Sequence, residues 1–235
     1  TRMRPVNYLA IVLLCVTLGV PISGAAKSLS GAYLAARQAD LERDYRVSEQ
    51  YYTRAVQQDP NNPVLMEHLI MAHMSLGQFA AASPVAQRLD AQQVDSQLVN
   101  MMQIATSAEQ GQYDSILQRI DQGKGIGALI DRLLVAWAIT GQGRMSDALK
   151  AFDEVAKKQG VEAFARYHKA LALAHAGDFE SAAEIFEQTV EAGIRLTRRG
   201  VIAQIQVLSQ LDLDDQAIAV LDLNFDASVD PEISN

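Results

Sequence analysis

Residues 45–63 read Tyr45-Arg46-Val47-Ser48-Glu49-Gln50-Tyr51-Tyr52-Thr53-Arg54-Ala55-Val56-Gln57-Gln58-Asp59-Pro60-Asn61-Asn62-Pro63. The run Asp59-Pro60-Asn61-Asn62-Pro63 stops one helix and restarts another. Asn62 suits the capping position, and Pro63 suits the first helical position, where its missing N–H costs nothing. Just upstream stands Arg43-Asp44-Tyr45, and this triplet has relatives along the chain: Gly77-Gln78-Phe79, Gly111-Gln112-Tyr113, Gly143-Arg144-Met145 and Gly177-Asp178-Phe179. The triplets recur at a nearly constant spacing of about 34 residues, with one slightly shorter step from Gly111 to Gly143. Three positions after each triplet comes Ser48, Ala82, Ile116, Ala148 or Ala182, and four positions later Tyr52, Ala86, Ile120, Phe152 or Phe186. A sixth, weaker unit runs through Leu211-Asp212-Leu213, with Ala217 and Leu221 one residue out of phase.

A period of this length marks a repeat architecture built from one supersecondary unit. The glycine falls where a first helix ends, because a left-handed residue there is cheapest without a Cβ. Asp178 caps the second helix, and the aromatic that follows covers the turn. The small residue lets the two helices of a hairpin approach, and the large one fills the gap to the next hairpin. Helices are expected at about 29–42 with 45–58, 63–76 with 79–91, 97–110 with 113–122, 128–141 with 145–158, 162–176 with 179–192, and 196–210 with 214–223. Of the six prolines, Pro60, Pro63 and Pro84 are expected near helix ends or starts.

The pattern resembles the tetratricopeptide repeat, and the resemblance runs from about Leu29 to Asn224. It implies an all-α fold: an α-α solenoid of helix-turn-helix repeats wound as a right-handed superhelix. Units are expected at about 29–62, 63–96, 97–128, 129–162, 163–196 and 197–225, together a repeat domain over 27–225. Residues 226–235 read as a tail that continues into a longer protein. The pattern has departures. Arg43 and Leu211 stand in place of the glycine in units one and six, unit three is short, and Gly123 takes a place usually held by alanine. A Sel1-like or HEAT-like array fits the period less well.

In tetratricopeptide repeats the fifth, ninth and twelfth positions of a unit commonly face the concave groove. The resemblance therefore implies Tyr33, Arg37 and Asp40 in unit one, Glu67, Met71 and Met74 in unit two, and Met101, Ala105 and Ala108 in unit three. Unit four gives Leu133, Trp137 and Thr140, and unit five Tyr167, Leu171 and Ala174. The subtype that grips a peptide carboxylate uses Lys, Arg and Asn there, and only Arg37 qualifies. The stripe is instead methionine and aromatic, side chains that adapt to apolar partners or anchor them. The alternative is that these residues simply pack the array.

Composition sets further bounds. Ala, Leu and Gln dominate and aromatics are few, which favours helix over sheet. The formal charge is -8. Positions 1–26 carry Arg2 and Arg4 and no acid, so the remainder is more acidic still. Such a body repels phosphate backbones, so no nucleic-acid partner is expected. Arg195, Arg198 and Arg199 form the only basic cluster and read as a solvated helix start.

Residues 1–26 read as a signal peptide. Arg4 supplies the positive region, Tyr8 to Val20 the apolar stretch, and Ser23-Gly24-Ala25-Ala26 the small residues for cleavage. The apolar stretch is short for a bilayer span, which takes about 20 residues as a helix. An uncleaved anchor, with membrane association through this segment, is the alternative. The only cysteine, Cys15, follows Leu14 in mid-segment, so no lipid attachment is expected there, and the mature chain would hold no thiol. These features place the protein in the periplasm of a bacterium, or anchored in the inner membrane and facing the periplasm. The first residue is Thr1, and the ends suggest part of a longer reading frame.

No catalytic signature stands out, and neither cofactor nor metal is expected. Gly123-Lys124-Gly125-Ile126-Gly127 follows no strand and lacks the Ser/Thr of a phosphate loop; it reads as a linker between repeats. His68, His73, His168 and His175 lack the spacing of a helical zinc pair. In the repeat frame they fall on first helices, in packing or groove-facing roles. No Gly-x-Ser-x-Gly turn occurs. The sequence therefore reads as a non-enzymatic scaffold or adaptor of the cell envelope that binds a peptide or helix in its groove. Alternatives are a structural spacer or an oligomerisation arm that associates with itself through terminal repeats, and an envelope enzyme or small-molecule carrier.

Overall fold

The computed structural model describes residues 28–225. The leader expected at 1–26 and the tail expected at 226–235 lie outside them. All twelve regular elements among the described residues are α-helices: α1 Leu29–Leu41, α2 Tyr45–Gln58, α3 Pro63–Ser75, α4 Phe79–Ala91, α5 Gln97–Glu109, α6 Tyr113–Asp121, α7 Ala128–Gly141, α8 Met145–Ala156, α9 Glu162–His175, α10 Phe179–Glu191, α11 Arg198–Gln210 and α12 Asp214–Asn224. They pair as six successive hairpins, as the period requires. None is long and apolar enough to cross a membrane. The described residues divide into two compact units, with the boundary between Val94 and Asp95.

The turns form where the periodicity predicts and for the expected reason. Gly77, Gly111, Gly143 and Gly177 end first helices with φ between 68° and 84°. Arg43 takes the same conformation at φ 58°, a strained state for a residue with a Cβ. In the sixth unit the left-handed residue is Asp212 (φ 57°), not Leu211, which still belongs to the helix end. That is the one-residue phase slip seen in the sequence. Gly123 is left-handed too (φ 76°): it stops α6 rather than replacing a packing alanine, and this is why the third unit is short. Pro84 is a second correction, because it lies inside α4 on its solvent side and not at a helix end. Side-chain caps fall where expected at Asn62, which accepts from the Leu65 N–H (3.3 Å), and at Asp178, which accepts from the Ser181 N–H (3.1 Å). Asp44 caps α2 in the same way.

The hairpin seams are buried. Ser48, Ala82, Ile116, Ala148 and Ala182 are buried, as are Tyr52, Ala86, Phe152 and Phe186. In the first unit Ala32, Ala36 and Ala39 of α1 let α2 approach closely, and Leu65, Met66, Leu69 and Ile70 fill α3's inner side. In the second unit Phe152 packs with Leu133, Ala136, Ala148, Val155, Ala165 and Ala172. Phe186 packs with Ala170, Leu173, Ala182, Ala203 and Val207. Each buried aromatic contributes on the order of 1.5–3 kcal/mol through the area it removes from water.

Candidate partner-binding surface

The first helices carry the side chains expected to meet a partner, and each compact unit assembles its own cluster of them. In the first unit, Tyr33 on α1, Tyr52 on α2 and His68 on α3 converge. The Tyr52 ring stacks on His68 at 4.9 Å with an interplanar angle of 3°. Tyr33 meets both rings edge-on, at 6.4 and 6.3 Å. Asp40 anchors the group: one carboxylate oxygen accepts from the Tyr52 hydroxyl at 2.7 Å, and the other accepts from the Ser48 hydroxyl. Burial and then the Asp40 hydrogen bond push the Tyr52 phenol far above its ordinary range. His68 is held below its ordinary value by burial first and then by the Arg37 guanidinium, with Asp40 and Glu67 pulling the other way.

The expected residues of this unit separate by role. Arg37 and Met71 are exposed, Met71 by 53%. Tyr33, Glu67 and Met74 are half-buried. Asp40 is committed to the interior network. A cavity of 260 Å3 opens beside Tyr33, lined also by Leu29, Ser30, Asn62, Val64 and Leu65.

In the second unit, first helices of three successive hairpins contribute to one pocket of 490 Å3. It is lined mainly by Ala108 of α5, Leu134, Trp137 and Gly141 of α7, and Leu171 and His175 of α9. Tyr113 and Ile116 of α6 and Ala138 and Thr140 of α7 complete the wall. The wall is mostly apolar, which suits an apolar side chain of a partner. Trp137 meets Phe152 edge-on at 5.7 Å, and its indole N–H donates to Nδ1 of His168 at 3.1 Å. Phe164 and Tyr167 close over the same imidazole at 4.5 and 5.2 Å. Burial alone holds His168 below its ordinary value.

Here too the expected residues divide. Trp137, Leu171 and the expected Ala108 line the pocket, whereas Tyr167 and Ala174 are half-buried near it in sequence. Met101 is half-buried and Ala105 exposed. Leu133 is a correction: at 5% exposure it belongs to the Phe152 core and offers no surface to a partner. Thr140 is buried as well and donates back to the Ala136 carbonyl at 2.9 Å. The neighbouring Leu134 takes the pocket position, one residue further along the helix. Sequence reasoning gave His68 and His168 packing or groove-facing roles without joining them to these clusters, and it missed Tyr113 as a pocket wall. The available signal was that His68 and His168 occupy the same place, the sixth, in units two and five.

The Gly123–Gly127 loop is structural, as expected for a linker. The Asp131 carboxylate accepts from the backbone N–H groups of Ile126 (2.7 Å) and Gly127 (3.2 Å), and Asn100 donates to the Gly125 carbonyl (3.1 Å). Among the described residues no group of three His, Cys, Asp or Glu side chains is arranged to hold a metal ion.

Two family profiles described as tetratricopeptide repeat match residues 41–103 and 140–195, together about half of the chain. The chain carries tetratricopeptide repeats. Solved structures of this fold resemble it at low identity. PilW, described as a widely conserved type IV pilus biogenesis factor, is 15% identical with a TM-score of 0.60, over 88% of this chain and 96% of that one. YrrB, described as a tetratricopeptide repeat protein with an unusual peptide-binding site, is 12% identical with a TM-score of 0.55, over 84% and 95%. MamA from Desulfovibrio magneticus is 14% identical with a TM-score of 0.55, over 69% and 93%. At these identities the likeness concerns the fold. No curated protein matches the chain.

Proposed function

We propose that this tetratricopeptide repeat protein is a non-enzymatic interaction module that takes up a peptide or helix of a protein partner across its first helices. The observation that carries this reading is the apolar pocket built jointly by α5, α7 and α9 around Trp137. A recess shared by three successive first helices accepts side chains from an elongated ligand, and a large aromatic at its centre is a typical anchor. The peptide-binding site named for YrrB supports the same use of the fold. Export by the 1–26 leader and work in the periplasm, as an adaptor of the cell envelope, complete the proposal. The charge of the body suits a protein partner better than a nucleic acid.

The test is photo-crosslinking in native envelopes from a residue placed at 171, compared with one at Glu187 on α10. A defined product from position 171 that disappears in the Trp137→Ala variant supports the reading. Equal products from both positions, or an undiminished product in the Trp137→Ala variant, would overturn it. One observation favours a second reading, self-association through the last hairpin. Ile218 and Leu223 of α12 are exposed, Leu223 by 83%, and bare apolar side chains of this kind suit a second copy. Light scattering of the protein with and without Leu223→Glu decides it.

A further inference from the structure

The pocket proposed above depends on where the Trp137 indole stands; its ring packs against Phe152, and its one polar atom is held by an atom of another repeat. The indole N–H of Trp137 on α7 donates to Nδ1 of His168 on α9 at 3.1 Å. An imidazole that accepts at Nδ1 is neutral and carries its proton on Nε2. The atom that would take a proton on acidification is therefore the one that holds the indole. Once protonated, Nδ1–H is a donor facing a donor, and indole N–H has no acceptor capacity to offer. The indole bond and the charged imidazole exclude each other.

We propose that His168 is a positioning residue that fixes Trp137 in the pocket while neutral and releases it when protonated, so that the pocket's shape depends on acidity. The inference deepens the reading of this pocket as a docking site and rests on it for its biological meaning, though not for its chemistry.

The surroundings favour the neutral ring. Phe164 and Tyr167 stand edge-on to the His168 ring at 4.5 and 5.2 Å, and Trp137 at 6.0 Å. Burial lowers the proton affinity of the ring, which keeps the neutral form in place at neutral pH. The charged groups of neighbouring elements do not oppose this. Lys169, next to it on α9, is paired with Asp153 of α8, and Arg166 with Glu162. Burial is the cause of the lowered proton affinity, and Tyr167 is a titratable side chain whose ring meets the imidazole. On acidification the imidazolium needs water or an acceptor, and the aromatic shell provides neither without opening. Opening that shell moves Trp137 away from the Leu134 and Leu171 walls.

Trp137 is the only tryptophan in the chain, so its emission reports this one contact. The experiment is a titration of the full protein, without any partner, from about pH 8 to about pH 5. It follows indole emission and far-UV circular dichroism together. The expected result is a change in emission with a midpoint below the ordinary histidine value of 6.5 while helicity holds. His168→Gln, whose side-chain oxygen still accepts from the indole, gives a flat profile, and His68→Gln leaves the midpoint where it was. Nitrogen chemical shifts of the His168 ring should show the unprotonated Nδ1 at neutral pH and titrate with the same midpoint. Should the glutamine variant fail to fold, that agreement of midpoints in the parent protein decides the matter. An indole signal that stays flat while His168 titrates would overturn the inference, as would an unchanged transition in folded His168→Gln. Because no partner is present, a failed titration strikes only this switch. A normal titration with no crosslink from position 171 strikes only the docking reading.

Discussion

The two aromatic clusters are built around a histidine at the same place of two repeats, and they hold it by opposite means. In the first unit His68 lies flat against Tyr52, and that tyrosine is tethered to a carboxylate, with Arg37 and Glu67 acting on the ring as well. In the second unit His168 is ringed by Trp137, Phe164 and Tyr167, with one hydrogen bond and no influential charge. A repeat scaffold fixes where a side chain stands but not its electrostatic setting. The first cluster is anchored by ionic and hydroxyl groups, so it should resist acid differently from the second. The second is held by ring packing and by one polar contact, which depends on the state of one imidazole.

The largest effect that tests the division into two units is expected from Phe186→Ala. Removing a fully buried ring from the Ala170, Ala182 and Val207 core costs about 3–5 kcal/mol. Hydrogen exchange should then show lost protection across residues 97–224, with α1 to α4 protected as before. Equal loss in α1 to α4 would mean that the units open together and that the comparison has to be drawn for one body.

Next comes the anchoring itself. Asp40→Ala strands the buried Ser48 and Tyr52 hydroxyls and should cost about 1.5–3 kcal/mol in a denaturant melt. Trp137→Phe in the other cluster keeps a ring and drops one neutral hydrogen bond. Its expected loss in the same melt is smaller, about 1 kcal/mol. If the order of these two losses is reversed, the first cluster is not the more firmly tied.

The smallest effect at neutral pH grows with acid. Both histidines bind a proton less readily in the folded chain than in the unfolded one, whose value is 6.5. Their contribution to stability is therefore complete above 6.5. Below it the unfolded chain binds more protons, and stability falls as pH drops toward the lower folded midpoints. Thermal melts from about pH 8 to about pH 5 should show this decline. His68→Gln and His168→Gln should each remove part of it, and a parent decline that neither variant reduces would assign the acid sensitivity to other groups.

What could be read from the sequence follows from which interactions are local. Gly77 and Gly177 announce left-handed turns because a Cβ is costly there, and Asn62 and Asp178 announce caps because their acceptors serve N–H groups three residues on. Ala82, Phe152 and Phe186 reveal the packing period by size alone. The candidate surface was less legible. Leu133 and Leu134 differ by one step on a helix, about 100° of rotation, and only the packing of α7 in its unit decides which of them reaches the pocket. The Asp212 turn was obscured because a non-glycine fills a glycine's place. The bond from Trp137 to His168 joins side chains 31 residues apart, and no local rule predicts which ring nitrogen will face an indole.

The close approach of Tyr113 to α7 constrains how this region can change over generations. A Cβ added at Gly141 would lie 2.4 Å from the Tyr113 ring, so the helix has no room for even an alanine while the tyrosine stays as it is. Substitutions at these two sites are therefore coupled. Either the Tyr113 ring moves aside or position 113 shrinks before position 141 can grow, and a lineage that has enlarged 141 meets the same clash on restoring the tyrosine. In collections of homologous chains the pair should change together, with small-at-141 and aromatic-at-113 inherited as a unit and the intermediate with both residues large rare.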